Sequence, residues 1–461
     1  MLALPLAIVW FGALIVALLD GRKRWVATLA AALLAAALLA TLWLSAAVVR
    51  DGPIGMVAGD WPVGVGIRLR ADSLGVLFIV VSLAVLLAAL VYEAAGGVQT
   101  RTFPALTLAM GAGLTGLFLT NDVFNFYVFF EIAMIAAYVL TGYGSRLRQL
   151  RSAVIFSVVN LVGSVVFLFA IVSLYHVTGS LDMDVMRLRL PVVEPNASLL
   201  VGTALFIAFG IKLGLFPFHP WLPPVYTGAR PAVAAMLSGA LANIGSYGLL
   251  RFGAGILPRD LELAAPALIV LGAASIIYGG MQAVGRNAPE EVLAYSAIGQ
   301  VGYVMIALGI GGPIGFAAAI LYTILNGINK TLLFLAVGAR GWLLGIPFAI
   351  GAFSVAGVPP VGGFWSKAII IQTTLAADSD GARIWLTALM VVGGALSFVY
   401  MFQVYQHEFW EPRDEPRRPG PVGRRAIVAL LAIVVVAIGI VPEPLLSASA
   451  RAAAVLTGGA P

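Results

Sequence analysis

Four ionisable side chains lie deep inside apolar stretches of the sequence. Glu131 stands in "NDVFNFYVFFEIAMIAAYVLTG" (121–142), Lys212 in "FGIKLGLF", Lys330 in "NGINKTLLF" and Lys367 in "GGFWSKAII". Glutamate and lysine both take up and release protons, yet a charge at the centre of a bilayer costs at least about 2.5–3.5 kcal/mol. Ionisable groups inside a membrane mark ion or proton paths by default. The pattern therefore predicts proton transfer through these four residues.

The distribution of lysine and arginine along the chain supports this interpretation. The chain has only four lysines, and Lys23 is the one that stands in a polar loop; the other loop cations are arginines. Arginine keeps its proton in proteins, whereas a desolvated lysine can release it. The alternative is structural: each lysine forms a static buried ion pair or extends to the membrane interface. Three such lysines together with Glu131 favour the proton path.

Composition places these residues in a membrane protein. The 461 residues are 61% hydrophobic and 10% charged, with a mean hydropathy of +1.02, whereas soluble domains have about 25% charged residues. Apolar runs of about 20 residues recur along the whole chain, and each is long enough to span a bilayer. The first run lacks a basic n-region, so it is predicted to be a retained helix and not a signal peptide.

The near absence of metal-binding side chains limits the chemistry. With no cysteine and three histidines, the sequence excludes an iron–sulfur cluster, a thiolate zinc site and a disulfide, and it argues against an internal haem. No cofactor and no metal are predicted, and any redox chemistry would belong to partner proteins.

The predicted fold is an all-α polytopic membrane protein with about fourteen transmembrane helices joined by short loops. The predicted spans are 2–19, 26–49, 73–94, 103–120, 122–143, 152–175, 197–217, 231–253, 263–284, 291–311, 313–338, 346–376, 384–409 and 426–446.

Two of these spans are interrupted by proline. "KLGLFPFHPWLPP" breaks the seventh and "VAGVPPVGGFWSK" the twelfth, and such breaks are tolerated only beside protein or a water-filled cavity. Their separation by five spans predicts two inverted five-helix repeats, helices 4–8 and 9–13. The single membrane domain 1–461 then divides into helices 1–3 (1–101), the first repeat (102–254), the second repeat (261–411), and a cytoplasmic loop with helix 14 (412–461).

Basic residues predict the orientation. Segments 58–73 and 177–196 are too polar to span and are expected at the membrane surface. If the loop after the first span is cytoplasmic, that side carries fifteen loop cations and the other side nine. Both termini are therefore predicted to be extracytoplasmic, in the cell (inner) membrane. The formal charge of +6 reflects this topology, so nucleic-acid binding is not implied.

Neutral polar residues offer links between the lysines. Water could connect them through Asn243, Tyr295, Ser296, Gln300, Asn326 and Asn329, although each residue alone is also a common helix-packing hydrogen-bonder. His219 either gates proton uptake or caps a helix end. "GAGLTG" (111–116) matches G-x-G-x-x-G, but no strand precedes it, so it predicts close helix packing and not nucleotide binding.

Five motifs together resemble one family. "NDVFNFYVFFEI", "KLGLFPFHPWLP", "LAYSAIGQVGYV", "INKTLLFLAVG" and "PPVGGFWSKAII" occur in this order over about 250 residues. They closely resemble the antiporter-like subunits shared by Mrp-type multisubunit Na+/H+ antiporters and respiratory complex I. The stretch "DVFNFYVFFEI" and the end of the chain after the fourteenth span are most similar to the D-type subunit of Mrp antiporters.

The resemblance implies roles for the ionisable residues. Glu131 would be the acid on helix 5, Lys212 its partner on helix 7, and Lys330 and Lys367 the central and exit-side proton carriers. Glu131 is then expected within about 4–6 Å of Lys212, where an opposite charge favours the charged lysine.

Three positions depart from the family pattern. Asn243 stands where relatives usually have lysine or histidine, Asn326 where histidine is frequent, and Glu290 and Glu291 in a stretch that is commonly basic. The first departure removes a titratable group between Lys212 and Lys330.

The resulting prediction is a proton-translocating subunit of a multisubunit antiporter that exchanges H+ for Na+, or for K+ or Li+, with other subunits and the lipid bilayer as partners. The alternative is a proton-pumping subunit of a complex I-like NADH–quinone oxidoreductase or of a membrane-bound hydrogenase. In either case the chain is expected to transport ions and to hold no redox centre of its own. A scaffold or an organic-solute transporter would not need titratable lysines.

Overall fold

The computed structural model describes residues 1–61, 66–339, 341–376, 384–410 and 420–458. Its helices are α1 (Leu4–Ala17), α2 (Arg24–Asp51), α3 (Ser73–Gly96), α4 (Phe103–Leu119), α5 (Val123–Thr141), α6 (Leu147–Thr178), α7 (Met183–Arg189), α8 (Pro195–Leu213), α9 (Leu222–Gly228), α10 (Pro231–Ala254), α11 (Pro258–Val284), α12 (Pro289–Ile310), α13 (Gly312–Ala339), α14 (Gly345–Ala356), α15 (Gly363–Ala376), α16 (Ile384–Trp410), α17 (Val422–Ile440) and α18 (Glu443–Thr457). Strands β1 (Ile54–Val57) and β2 (Arg68–Ala71) form one antiparallel pair.

Within these described ranges, eleven helices are long and apolar enough to cross a membrane, and α1, α4 and α14 are shorter apolar helices. The prediction of a multi-pass α-helical membrane protein is confirmed. A hydrophobic stretch must form a helix in lipid because the helix satisfies every backbone hydrogen bond internally.

The helices differ in how much of their surface the protein itself covers. In the most apolar 18-residue window, α10, α12 and α13 bury 94%, 89% and 89% of their residues, whereas α11 buries 28% and α17 buries 22%. The three covered helices form the interior, and they carry Asn243, Gln300 and Lys330. The interior of the fold is therefore where the predicted polar residues meet.

Both predicted interruptions are present. α8 ends at Leu213 and is followed by Gly214, with φ of 66°. α14 ends at Ala356 and is followed by Gly357, with φ of 86°. A left-handed glycine ends a helix without steric cost because it has no Cβ. The chain resumes as α9 after the first break and as α15 after the second.

α10 is irregular over much of its length. Two stretches, Leu237–Leu241 and Leu249–Ala254, are π-helix, and Asn243 lies in the α-helical turn between them. π-helical segments inside α-helices are frequent at functional sites.

The predicted last span is too long at its C-terminal end. The span was expected to reach residue 446, but α17 ends at Ile440 and Val441 is non-helical (φ −123°). Pro442 explains the difference, because a proline disfavours the α conformation in the residue before it. A separate helix, α18, begins at Glu443.

The two polar segments form no long apolar helix among the described residues. The first contributes the β1–β2 hairpin and the second contributes α7. Arg68 and Arg70 of the hairpin donate to the Asp184 carboxylate of α7 over 2.7 and 2.9 Å. The two segments therefore bind each other at one end of the helices.

Helix packing explains the G-x-G-x-x-G match. A Cβ on Gly113 would clash with the Ala133 backbone, and one on Gly116 would clash with the Phe129 ring. Both glycines thus let α4 approach α5 closely, as predicted.

Some residues that support the predicted orientation lie outside the described residues. They are Arg340, Arg383, Arg413, Arg417 and Arg418. The same is true of 62–65 in the first polar segment and of 411–419 in the long loop.

Candidate functional site

Lys212 lies in the last turn of α8, directly before the break, and its side chain points into the protein. The residue is 7% exposed. Its Nζ donates to the backbone carbonyl of Asn160 over 3.0 Å and to Ser164 Oγ over 3.3 Å, both on α6. The ammonium group also lies 4.2 Å from the centre of the Phe130 ring. Three neutral groups therefore hold this lysine.

Glu131 forms no ion pair with Lys212 in this arrangement. Among the described residues, neither carboxylate oxygen of Glu131 lies within the 4.0 Å of a cationic nitrogen that defines an ion pair, and its buried Oε1 has no hydrogen-bond partner. The two residues are close in space because Phe130, the neighbour of Glu131 in α5, packs against Lys212. The structure thus brings the predicted pair together without joining it.

Lys330 lies on α13 and is fully buried. Its Nζ donates to the Leu293 carbonyl over 3.1 Å and to Ser296 Oγ over 2.7 Å, both on α12. Ser296 Oγ is 2.9 Å from the Tyr400 hydroxyl of α16. The Tyr400 hydroxyl donates to Ser397 Oγ over 3.0 Å. We call this series, Lys330–Ser296–Tyr400–Ser397, the hydroxyl chain.

The donors along the hydroxyl chain all point away from Lys330. Tyr400 has a single hydroxyl hydrogen, which it gives to Ser397. Ser296 must therefore be the donor in its bond to Tyr400. Ser397 in turn donates to the Gly393 carbonyl over 2.7 Å. A chain with this polarity can pass a proton from the lysine toward α16.

Gln300 branches from the hydroxyl chain. Its Nε2 donates to the Tyr400 hydroxyl over 3.2 Å and to Ser397 Oγ over 3.3 Å, and its Oε1 accepts from the Tyr322 hydroxyl. Both polar ends of this buried amide are satisfied, so it holds the two hydroxyls in place.

Lys367 lies in α15, just after the second break, and is 7% exposed. Its Nζ donates to the Ala356 carbonyl over 3.2 Å and lies 4.6 Å from the centre of the Tyr303 ring. It approaches α16 at Gly394, where an added Cβ would be 3.7 Å from Nζ. Gly394 precedes Ser397 by one helical turn, so the hydroxyl chain ends close to Lys367.

The first half of the protein has no comparable chain among its described residues. Asn243 is 3% exposed and donates through Nδ2 to the Gly239 carbonyl of its own helix over 2.9 Å. Beside Lys212 lies a cavity of about 10 Å³, lined toward α10 by Leu237, Leu241 and Ile244. That volume is near the minimum for one water molecule. The α10 side chains beside Lys212 are therefore mostly apolar.

The other predicted polar residues are scattered. His219, between α8 and α9, packs on the Phe216 and Tyr278 rings, and its Nδ1 is buried without a partner among the described residues. Asn326 Oδ1 and Asn329 Oδ1, on α13, are also buried without a hydrogen-bond partner among the described residues. Buried polar atoms of this kind bind water. Tyr295 lies apart, beside Arg286, whose Nη2 is 3.4 Å from its hydroxyl.

Sequence reasoning missed several residues that complete the site. Tyr400, Ser397, Tyr322 and Tyr303 were not singled out, because one hydroxyl in an apolar span is a weak signal. The stretch "SFVY" (397–400) places serine and tyrosine one turn apart on a helix, where both meet the same neighbour. That spacing is the sequence signal from which Ser397 and Tyr400 could have been identified. Within the described ranges, no group of three or more His, Asp or Glu side chains could hold a metal ion.

The sequence and the fold are similar to those of known antiporter subunits. A family model described as "NADH:quinone oxidoreductase/Mrp antiporter, TM" matches residues 120–341. Antiporter subunit mnhD2 of Staphylococcus aureus is 28% identical over 98% of this chain and 95% of its own length. The chain is thus similar to antiporter-like subunits of Mrp antiporters over its full length, and to the family of NADH:quinone oxidoreductase and Mrp antiporter membrane subunits over residues 120–341.

Solved structures of the family have the same fold over the full length. A chain of the Mrp complex from Dietzia sp. DQ12-45-1b has a TM-score of 0.89 at 26% identity, covering 98% of both chains. A chain of the membrane-bound sulfane sulfur reductase, an archaeal respiratory membrane complex, has 0.88 at 25% identity, covering 99% of this chain and 97% of its own. A chain of Thermus thermophilus respiratory complex I with bound NADH has 0.85 at 25% identity, covering 100% of both.

The resemblance to Mrp-type antiporter subunits that the five motifs predict is confirmed. The matched region, 120–341, contains Glu131, Lys212 and Lys330. Lys367 lies outside it but within the full-length structural match.

Proposed function

We propose that this chain is the proton-translocating subunit of a multisubunit monovalent cation/proton antiporter in the cell membrane. The observation that carries the proposal is the hydroxyl chain, which runs from a fully buried lysine on α13 to the neighbourhood of a second buried lysine on α15. A buried lysine with no carboxylate partner has no evident structural purpose, because burying an unpaired charge is costly. A lysine that takes up and releases a proton has a function that accounts for its burial.

The proposed proton path assigns each ionisable residue a role. Glu131 approaches and leaves Lys212, and this movement changes how firmly Lys212 holds its proton. Lys330 receives a proton at the centre and releases it into Ser296. Tyr400 and Ser397 accept the proton in turn, and each releases its own hydroxyl proton to the next group. The Ser397 hydroxyl must leave the Gly393 carbonyl and give its proton through a water molecule to a neutral Lys367, which is the exit-side carrier.

The auxiliary residues fall into two groups under this proposal. Gln300 and Ser296 belong to the relay itself. Asn243, His219, Asn326, Asn329 and Tyr295 are proposed to hold water along the approaches to the lysines, since water needs two to four polar partners to remain in a protein interior.

The finer architecture is proposed to be fourteen spans. The eleven long helices, the short apolar helices α1 and α4, and the pair α14–α15 taken as one interrupted span support this count. Two inverted five-helix repeats, 102–254 and 261–411, are supported by the left-handed glycine that follows the helix at each interruption. The preceding three helices (1–101) and the final part (412–461) flank the repeats in one membrane domain.

The proposed orientation places both termini outside the cell. This rests on the excess of arginine in the loops on the opposite side. Protons and Na+, or K+ or Li+, would then exchange across the cell membrane with the membrane potential as a driving force of about 2.3 kcal/mol per charge per 100 mV.

The partners are proposed to be the other subunits of an antiporter assembly. The Mrp relative from Dietzia supports this, while the complex I and sulfane sulfur reductase relatives support the alternative, a proton-pumping subunit of a redox-driven complex. Identifying the proteins that copurify with this chain separates the two, because only the second assembly contains redox subunits.

The test is proton movement driven by Na+ in vesicles that contain the complete assembly. Replacing the buried lysine, Lys330→Met, keeps the length of the side chain and removes the proton-carrying group, and it should abolish the pH change that Na+ causes. The control is Lys23→Gln, which removes the exposed loop lysine and should leave transport intact. Wild-type transport by Lys330→Met at an equal level of assembled complex would refute the proposal.

A further inference from the structure

A polar cavity lies at one end of α6, beside α9. It has a volume of about 370 Å³, and its lining includes Arg148 and Arg151 from the start of α6, Arg286 from the end of α11, and Glu291 and Tyr295 from α12. We call it the arginine cavity. It is separate from the hydroxyl chain, and none of the proposed proton carriers lines it.

The arginine cavity carries an excess of positive charge. Three arginines face one glutamate. Arg286 is held in place by Gln282 Oε1, at 3.0 Å, and by the Tyr295 ring, 5.0 Å from its guanidinium carbon. The exposed side chains of Arg148 and Arg151 make no hydrogen bond and no ion pair with any other described residue. Two unpaired guanidinium groups and a fixed third are suited to a phosphate, which arginine binds in a bidentate way.

Apolar surface continues from the arginine cavity along the helices that border it. On α6 the face that begins at Arg151 carries exposed apolar side chains at steps of three or four residues. On α11 an exposed apolar face leads back from the C-terminal end of the helix, which Arg286 follows by two residues. The exposed side chains are Val154, Val158, Val162, Val165 and Phe169 on α6, and Met281, Ile277 and Val270 on α11. Residues spaced in this way lie on one side of a helix.

We propose that the arginine cavity binds the phosphate headgroup of an anionic phospholipid, with its acyl chains along the exposed faces of α6 and α11. A phosphate beside the arginines neutralises their charge, and the apolar faces supply contacts that only a lipid can use. Basic pockets between transmembrane helices on the cytoplasmic side are suited to anionic headgroups. An inorganic phosphate ion would use the arginines alone.

The bound lipid would also contact the broken part of the seventh span. Pro223 and Pro224 of α9 line the same cavity, and the Pro224 carbonyl accepts from Ser152 Oγ of α6 over 2.8 Å. A lipid in the cavity therefore joins α6, α9 and α11, and it should raise the melting temperature of the protein.

The experiment measures lipid binding to the purified assembly in a zwitterionic detergent, by native mass spectrometry and by the melting temperature. The probes are dioleoyl phosphatidylglycerol, dioleoyl phosphatidylcholine and inorganic phosphate. We expect phosphatidylglycerol to bind and to raise the melting temperature, and the other two to do neither. The triple variant Arg148→Gln/Arg151→Gln/Arg286→Gln should bind phosphatidylglycerol roughly a hundredfold more weakly, because each basic side chain near a membrane surface contributes about fivefold.

The control variant is Arg22→Gln/Lys23→Gln/Arg24→Gln. It removes two exposed cations from the loop between α1 and α2 and one from the first residue of α2. The change in charge is the same, so this variant should bind as the wild type does. If the cavity triple variant does not assemble, Arg151→Gln and Arg286→Gln are measured singly, with about a fivefold loss expected for each.

Four results would each overturn the proposal. The first is wild-type binding by the cavity variants, and the second is an equal loss in the control variant. The third is protection by inorganic phosphate equal to that by phosphatidylglycerol, which would assign the cavity to free phosphate. The fourth is a crosslink from the Arg151→Cys variant to another subunit, because the face would then be a protein interface.

Discussion

Lys212 meets an aromatic ring where a carboxylate was expected. Its Nζ lies 4.2 Å from the centre of the Phe130 ring, and Phe130 directly precedes Glu131. The negative face of an aromatic ring attracts a cation, but more weakly than a full charge does in a dry site. The structure therefore holds this pair in its separated arrangement.

Removing either member of the pair should stop transport. Glu131→Ala and Lys212→Ala are each expected to abolish ion-driven proton movement in vesicles at an unchanged level of assembly. The double variant should be no worse than either single variant, because both residues act on one step. Glu262→Ala, which removes an exposed glutamate of α11, serves as the control. Normal formation of a pH gradient by Glu131→Ala would refute this role.

Tyr400 should be required for transfer between the central and exit-side lysines. Tyr400→Phe keeps the ring and removes the hydroxyl that joins Ser296 to Ser397. We expect transport to fall at least roughly tenfold, because a positioned proton-transfer group contributes about 10²–10⁴-fold. Ser397→Ala should act in the same direction and Ser397→Thr should retain activity.

The matched control is Tyr405→Phe, which alters a tyrosine of the same helix outside the hydroxyl chain. If Tyr400→Phe transports as fast as Tyr405→Phe at every pH, protons do not use this chain.

Asn243 should control proton transfer between Lys212 and Lys330. Asn243→Leu is expected to stop transport, because leucine offers no donor or acceptor to water in a region that is already mostly apolar. Asn243→Lys restores the titratable group that relatives carry and should be tolerated, with a shifted pH optimum if it repels protonated Lys212 and Lys330. Transport by Asn243→Leu equal to the wild type from about pH 6 to 9 would mean that protons avoid this region.

Asp72 and Arg251 should stabilise the fold. Arg251 of α10 donates to both oxygens of Asp72, over 2.8 and 2.9 Å, and both residues are buried. Asp72→Ala leaves a buried unpaired guanidinium, so we expect a loss of about 3–5 kcal/mol. The double variant Asp72→Leu/Arg251→Met leaves no unpaired charge and should recover most of that loss. Thermal unfolding of the purified protein measures both.

Low pH should remove the stabilisation that the Asp72–Arg251 ion pair provides. Burial by itself raises the pKa of Asp72, but the Arg251 guanidinium and the Gly75 N–H outweigh it and hold that pKa below its ordinary value. A carboxylate with a lowered pKa in the folded state stabilises the protein fully above its unfolded-state pKa and loses that effect as pH falls through the folded-state value. The difference in stability between the wild type and the double variant should therefore shift in favour of the double variant as the pH falls. A difference in melting temperature that stays constant down to about pH 3 would contradict this assignment.

Topology can be tested from the two ends of α6. Leu147 begins α6 and Leu188 lies in α7, which follows the other end of α6; the two side chains are 83% and 79% exposed. The 32 residues of α6 span about 48 Å. Because the chain has no cysteine, Leu147→Cys and Leu188→Cys each give one reactive thiol. An impermeant reagent should label position 188 from outside and position 147 only from the cytoplasm. Labelling of both from one side would rule out the fourteen-span topology.

The sequence alone determined the membrane class and the identity of the buried ionisable residues, while the resemblance to antiporter subunits came from five motifs. Each depends on local properties: the length of an apolar run, a proline in a span, or a lysine surrounded by apolar residues. Glu131, Lys212, Lys330 and Lys367 could be named because a charge is conspicuous wherever the neighbouring residues are apolar. Helix ends were predicted less well, as at Ile440, because a proline two residues later ends the helix while the hydropathy stays high.

Only the tertiary structure decided which of these residues communicate. Ser296 and Tyr400 are 104 residues apart in the chain, and their contact depends on how α12 packs against α16. The same holds for Arg251 and Asp72, which are 179 residues apart. Hydrogen bonds between distant helices are set by packing angles and by side-chain direction, which no local pattern encodes. The separation of Glu131 from Lys212 also belongs here, because an ångström-scale movement of two packed helices decides whether that pair forms.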